Sequence, residues 1–198
     1  MTDCNYTYKH YIETLLLARA KGYSFITFDE LMHGNPKEPY ILLRHDVDQR
    51  IEPVKAMNEL EMINDITSTW FLRVHGRFNI LFKRNLDAIS ELMHVGLHAD
   101  SYFKKIEYDA EILEAMLGHS ILYYSVHDIN REVKNNGAKD LICVDFDKLK
   151  QYNLKYISDS SHQWREGCMC KWIEKGEPRL YVLIHPMWWF VETSQENY

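Results

Sequence analysis

ILLRHDVDQR, residues 41–50, decides how the rest of the chain reads. Ile41, Leu42 and Leu43 form the kind of apolar run that fills a strand buried on both faces. The run passes without a break into Arg44, His45, Asp46, Val47 and Asp48. A strand that starts apolar and ends ionisable fits a parallel α/β sheet, where polar chemistry gathers at the carboxyl ends of the strands.

The same alternation recurs along the chain. Strands are predicted at 23–28, 40–44, 68–72, 95–98, 121–126, 155–158 and 179–184. Between them, helical spacing covers 7–21, a brief piece opening at Asp29, the stretch that follows Pro53, NLDAISELMH, and YDAEILEAMLG ending at Gly118. At least one further helical piece falls within AKDLICVDFDKLKQYN. Strands alternating with helices imply parallel strands joined by crossovers. Each strand end then carries a metal ligand or proton carrier: Arg73 and His75, His98 and Asp100, His127 and Asp128, Asp159 and His162, and finally His185. RHDVD is therefore expected to be one spoke of a ring of polar groups around a single site.

Composition sets the bounds. The chain has 198 residues, 46% hydrophobic and 26% charged, which suits one domain over 1–198 with a sizeable core. A net charge of -6, with Lys and Arg scattered, argues against a nucleic-acid partner. No apolar run is long enough to span a membrane. MTDCNYTYKHYIETLLLARAKGY reads as an amphipathic first helix rather than a signal peptide, so a cytoplasmic location is expected. Cys4, Cys143, Cys168 and Cys170 are expected to be thiols there. The Cys168-Met169-Cys170 pair is too close for a good zinc knuckle and has no second pair, so it reads as an ordinary partly buried strand or loop.

Asp46 and Asp48 lie two apart and face the same way if the pleat continues. Two such carboxylates repel unless a cation lies between them, so the pair makes most sense with a metal; Asp48 alone could instead cap the following helix. His10, His33 and His119 read as structural, whereas His98, His127 and His185 each follow a strand. Carboxylate and imidazole donors suit one divalent metal ion, with zinc first and cobalt, manganese, nickel or iron also fitting. In LIHPMWWF, two tryptophans beside a strand-end His either stack on a sugar face or pack the core.

These stretches resemble the polysaccharide deacetylase family. ILLRHDVD, STWFLRVH with Asn79, HVGLHAD, YSVH, YISDSSHQW and LIHPMWW follow the family's order over about residues 40–190. The match is to the NodB-type carbohydrate esterase group, in the RHDVD branch associated with surface-glycan biosynthesis. The resemblance implies an α/β fold, a distorted (β/α) barrel, complete or with closing elements trimmed to fit this short chain. It also implies metal-dependent removal of an N-acyl group from a sugar.

By the same resemblance, and allowing for the inserted Val47, Asp46 is the general base and Asp48 a metal ligand. His98 is a second ligand and His185 the general acid. Asp159, Trp164 and Trp188 are candidates for supporting the site or its pocket. The family's usual second His falls at Tyr102 here, and its usual third-motif Arg at His127, which is expected to serve as the third ligand instead. Arg73 is a candidate for gripping a substrate carboxylate or phosphate, or else a surface ion pair. The expected partner is an amino-sugar glycan precursor, nucleotide- or lipid-linked, bearing N-acetyl or N-formyl. The competing readings are a catalytically silent sugar-binding or scaffold protein on the same fold, and a metal-dependent hydrolase of another bond.

Overall fold

The computed structural model describes residues 4–75, 83–100, 106–127 and 140–193. In chain order the elements are α1 (Tyr8–Ala20), β1 (Ser24–Ile26), α2 (Phe28–His33), β2 (Tyr40–Val47), α3 (Glu52–Ile63), β3 (Thr69–Leu72), α4 (Lys83–Ile89) and β4 (Val95–Ala99). They continue with α5 (Ile106–Leu117), β5 (Tyr123–Val126), β6 (Ile142–Cys143), β7 (Lys155–Ser158), α6 (Met169–Lys175) and β8 (Arg179–Ile184). Every strand pairing is parallel, in the order β6-β5-β4-β3-β2-β8-β7. β1 pairs with the start of β2, at Tyr40–Leu42, and β3 with its end, at Arg44–Val47. Among the described residues β6 and β7 form no pair, so the sheet is a curled, open half-barrel.

Local chemistry sets most boundaries. The Thr7 side chain accepts a hydrogen bond from His10 N and starts α1. Thr27 and Glu30 form a capping box, so β1 stops at Ile26 and α2 opens at Phe28, one residue ahead of Asp29. Pro53 sits in the first turn of α3, and a left-handed Gly118 follows α5. The helix expected to run to His94 ends at Ile89.

Two elements differ from the sequence reading. β6 has only two residues, too few to show alternation. Residues 168–170 open α6, not a strand or loop; Met169, Cys170 and Ile173 are its buried face.

The pleat of β2 sorts its side chains into two cores. Ile41 and Leu43 face Tyr11 and Leu15 of α1, Val54 and Met57 of α3, and Ile173 of α6. Leu42 faces inward with Phe71, Tyr123 and Tyr181, where Phe28 and Leu31 of α2 plug the trough. Gly96 on β4 makes room for that plug, because a Cβ there would lie 2.3 Å from the Phe71 ring. The same alternation puts His45 on the outer face, stacked on Trp70 with ring centroids 3.9 Å apart. Its Nε2 lies 2.7 Å from Glu61 Oε1, and Tyr11 and Ser68 donate to the same carboxylate. That buried network ties α1 and α3 to the sheet and leaves Arg44 and Asp46 pointing inward.

Candidate metal centre

At the carboxyl ends of the strands the trough opens into a cleft of about 470 Å³. Arg44 and Asp46 reach it from β2, Asp48 from just past β2, His98 from β4, His127 from just past β5 and His185 from just past β8. Asp145, Phe146, Tyr156 and Arg165 complete the parts of the wall that matter below.

Three of these side chains form a tight triangle of donor atoms. Asp48 Oδ1 lies 3.0 Å from His98 Nε2 and 3.1 Å from His127 Nδ1, and the two nitrogens are 3.2 Å apart. Ligands held about 2.0–2.1 Å from one cation stand roughly 2.8–3.4 Å from each other, across octahedral and tetrahedral geometries. The triangle is thus able to hold a metal ion. Its donors, one carboxylate and two imidazoles, are those of a borderline divalent cation. The Ser125 hydroxyl lies 2.7 Å from His98 Nδ1; with Ser125 accepting from Nδ1, Nε2 would be the nitrogen that faces a metal. Burial works against charge on Asp48, but hydrogen bonds from His127 and His98, with the nearby His98 and His185 charges, outweigh it. Its carboxyl sits well below the usual carboxylate range.

Asp46 stands beside the triangle, its Oδ2 3.7 Å from His98 Nε2. Its two oxygens accept a fork from Arg44, Nε at 2.7 Å and Nη2 at 2.6 Å. Arg44 also donates to the Tyr181 hydroxyl at 2.8 Å and reaches Asp145 at 3.4 Å. Burial pushes the Asp46 carboxyl up, but Arg44 and then His98 outweigh that, and the net shift is downward. Asp46 is an ionised acceptor held at a fixed angle.

On the β8 side, His185 Nδ1 lies 2.6 Å from Asp159 Oδ1, and its Nε2 faces Asp48 Oδ2 at 3.9 Å. Asp159 is fully buried beneath it and also accepts from the His185 backbone N–H and from Trp189 Nε1. Burial pulls the imidazole down, but Asp159, helped by Asp48 and Asp46, overrides it and raises His185 to about 9. The Asp159 carboxylate thus favours the charged form of the His185 imidazole.

The remaining candidates fall elsewhere. Arg73 turns its guanidinium to Asp100, at 2.6 and 3.1 Å, and to the Asp48 backbone carbonyl at 2.9 Å, so its donors brace the loop that carries Asp48. Trp188 stacks on His162, with centroids 5.1 Å apart, and Trp164 lies against Tyr6 and Trp189. Both indoles are outside the cleft lining. His94 lies away from the cleft, lining two other depressions. Tyr102, Asn79 and Asp128 fall outside the described residues.

Sequence reasoning gave no part to Arg44, Ser125, Asp145 or Arg165. Arg44 alone carried a readable signal: it lies two residues before Asp46 on one strand and so shares its face. Compared with protein-family models, curated proteins and solved structures, the chain finds no match in any of the three.

Proposed function

We propose that the chain is a metal-dependent hydrolase that removes an N-acyl group, acetyl or formyl, from an amino-sugar glycan precursor. The observation that carries this reading is the placement of Asp46 and His185 within 4 Å of the Asp48–His98–His127 triangle, at 3.7 and 3.9 Å. That arrangement supplies an ionised base, a protonated acid and a cation seat in one cleft.

Asp48, His98 and His127 would hold a divalent cation, zinc first, which would supply Lewis acidity toward an acyl carbonyl and a water. Asp46, aimed by the Arg44 fork, accepts a proton from the attacking water. His185, charged through Asp159, donates a proton to the departing sugar nitrogen. Phe146 and Tyr156, stacked with centroids 4.9 Å apart, give the cleft an aromatic wall suited to a sugar face. Arg165 is exposed on the cleft wall and suits a phosphate, which favours a nucleotide- or lipid-linked precursor. No helix among the described residues is long and apolar enough to cross a membrane.

The test pairs metal content with product detection. Elemental analysis of the wild type, Asp48→Ala and His127→Ala is expected to show about one equivalent of metal lost in each variant. Acetate or formate release from a panel of N-acyl amino sugars, free and nucleotide-linked, is expected from the wild type and not from the variants. If neither variant loses metal and no substrate is cleaved, the hydrolase reading fails and a silent sugar-binding protein replaces it. Cleavage confined to esters or non-sugar amides would instead overturn the substrate class.

A further inference from the structure

Outside the cleft lining, the N-terminal segment, α1 and the start of α6 converge four side chains that the chemistry above does not use. They are Cys4, His10, Cys168 and Cys170, and one donor atom from each lies within 4.8 Å of all the others. Cys4 Sγ is 3.5 Å from Cys170 Sγ, and His10 Nε2 is 3.3 Å from Cys168 Sγ. Cys168, Cys170 and His10 are buried, and Cys4 covers them from the solvent side. We propose that these four side chains are a second metal site, a Cys3His centre for a structural zinc ion.

The donor set argues for it first. Three thiols and an imidazole form a soft-to-borderline set that selects zinc, whereas the cleft's carboxylate and imidazoles also suit harder ions. Thiols hydrogen-bond weakly, so there is little other gain in gathering three of them around one buried imidazole.

Geometry argues for it second. Around a tetrahedral zinc, with Zn–S about 2.3 Å and Zn–N about 2.0–2.1 Å, sulfur atoms stand roughly 3.7 Å apart and sulfur and nitrogen roughly 3.5 Å apart. The 3.5 and 3.3 Å separations lie within a few tenths of an ångström of those spacings. All the other donor pairs lie within 4.8 Å. Cys168 and Cys170 are too close in sequence to make a knuckle alone, but here they supply only half of the site. The other half arrives from more than 150 residues away, with separations of 158 and 166.

The site also has a structural task. The N-terminal segment is bridged to the chain beyond β8 by Tyr8 N to Phe190 O and Phe190 N to Tyr6 O. Tyr6 then packs its ring against His162 and Trp189, and Trp189 donates to Asp159 beneath His185. A zinc ion joining Cys4 and His10 to α6 staples this wall in place. It needs none of the cleft's ligands, so it stands or falls independently of the proposed hydrolase.

The test uses the full chain, purified under reducing conditions, as wild type and as Asp48→Ala/His127→Ala, which removes two of the cleft donors. Zinc is measured by elemental analysis, and Co2+ is added as a spectroscopic probe. Only thiolate ligands give the near-ultraviolet sulfur-to-cobalt charge-transfer band, and the cleft has no sulfur donor. The expected result is about one zinc per chain retained in the cleft variant, with the charge-transfer band at full strength. The band and that equivalent are expected to be lost in Cys168→Ser and in Cys4→Ser. Cys4 is exposed, so its variant keeps the test valid if Cys168→Ser does not fold. A cleft variant with neither zinc nor band overturns the proposal. So does an intact mass lower by two hydrogens with Cys4 and Cys170 blocked to thiol reagents, which would mean a disulfide. Failure of the cleft reading looks different: wild type and cleft variant would then hold the same metal.

Discussion

Arg44 and Asp46, two residues apart on β2, face each other as a buried fork, with bonds of 2.7 and 2.6 Å. The strand pleat puts both on the inner face, and Tyr181 and Asp145 occupy the outer side of the guanidinium. The Asp46 carboxylate is thus oriented by its own strand.

Removing one partner of this pair leaves an uncompensated buried charge. Arg44→Ala is expected to lower the unfolding free energy by about 3–5 kcal/mol, read by chemical denaturation. Arg44→Lys keeps the charge but loses the fork, and is expected to fall between the two in stability while losing more than tenfold in kcat. Equal kcat in Arg44→Lys and wild type would remove Asp46 from the role of oriented base.

Ser125 is expected to tune the metal without touching it. Its hydroxyl lies 2.7 Å from His98 Nδ1, and accepting a hydrogen bond there would fix the ring and its tautomer. Ser125→Ala is expected to weaken metal binding at the cleft about 10–100-fold. Competition with a chromophoric chelator, run in a Cys4→Ser background, reads the cleft alone.

The His185–Asp159 pair links pH to stability. The imidazole is raised in the folded state, from 6.5 to about 9, because Asp159 outweighs its burial. A raised pKa means its stabilisation is fully present below about 6.5 and is lost as pH climbs through about 9. In metal-free protein, Tm is expected to fall over that window, and less so in His185→Gln. Proton NMR should place the His185 titration near 9 in the wild type, and clearly lower in Asp159→Asn. An unmoved titration would show that Asp159 does not set the charge.

Two arginines are expected to separate substrate binding from scaffolding. Arg165 lines the cleft, whereas Arg73 is spent on Asp100 and the Asp48 carbonyl. Arg165→Ala is expected to raise KM for phosphate-bearing substrates about 10–100-fold, the worth of a charged hydrogen bond, with kcat held. Arg73→Ala is expected to lower stability and metal affinity instead. Steady-state kinetics on free and nucleotide-linked substrates distinguishes the two.

Gly96 is expected to tolerate no side chain. Its absent Cβ would meet the Phe71 ring at 2.3 Å, inside the plug below the cleft. Gly96→Ala is expected to cost at least about 1–3 kcal/mol by overpacking, and Phe71→Leu in the same chain to recover part of it.

Much of this molecule is set by local sequence. The apolar run 41–43 and the alternation of strand and helix specify a parallel sheet, because the hydrophobic period and the handed crossover leave few other arrangements. Asp46, Asp48, His98, His127 and His185 could be read as site residues because each sits at or just past a strand's carboxyl end, and parallel strands bring those ends together. Tertiary structure decided the rest, since the partners are distant in the chain. Asp145 meets Arg44 across 101 residues, and Trp164 and Trp188 go to the aromatic wall beside Tyr6 rather than into the cleft. Cys4 and His10 reach Cys168 and Cys170 only once α1 has packed on α6. A pleat or a helical turn fixes neighbours a few residues apart, but contacts between remote segments depend on how the whole chain closes around its core.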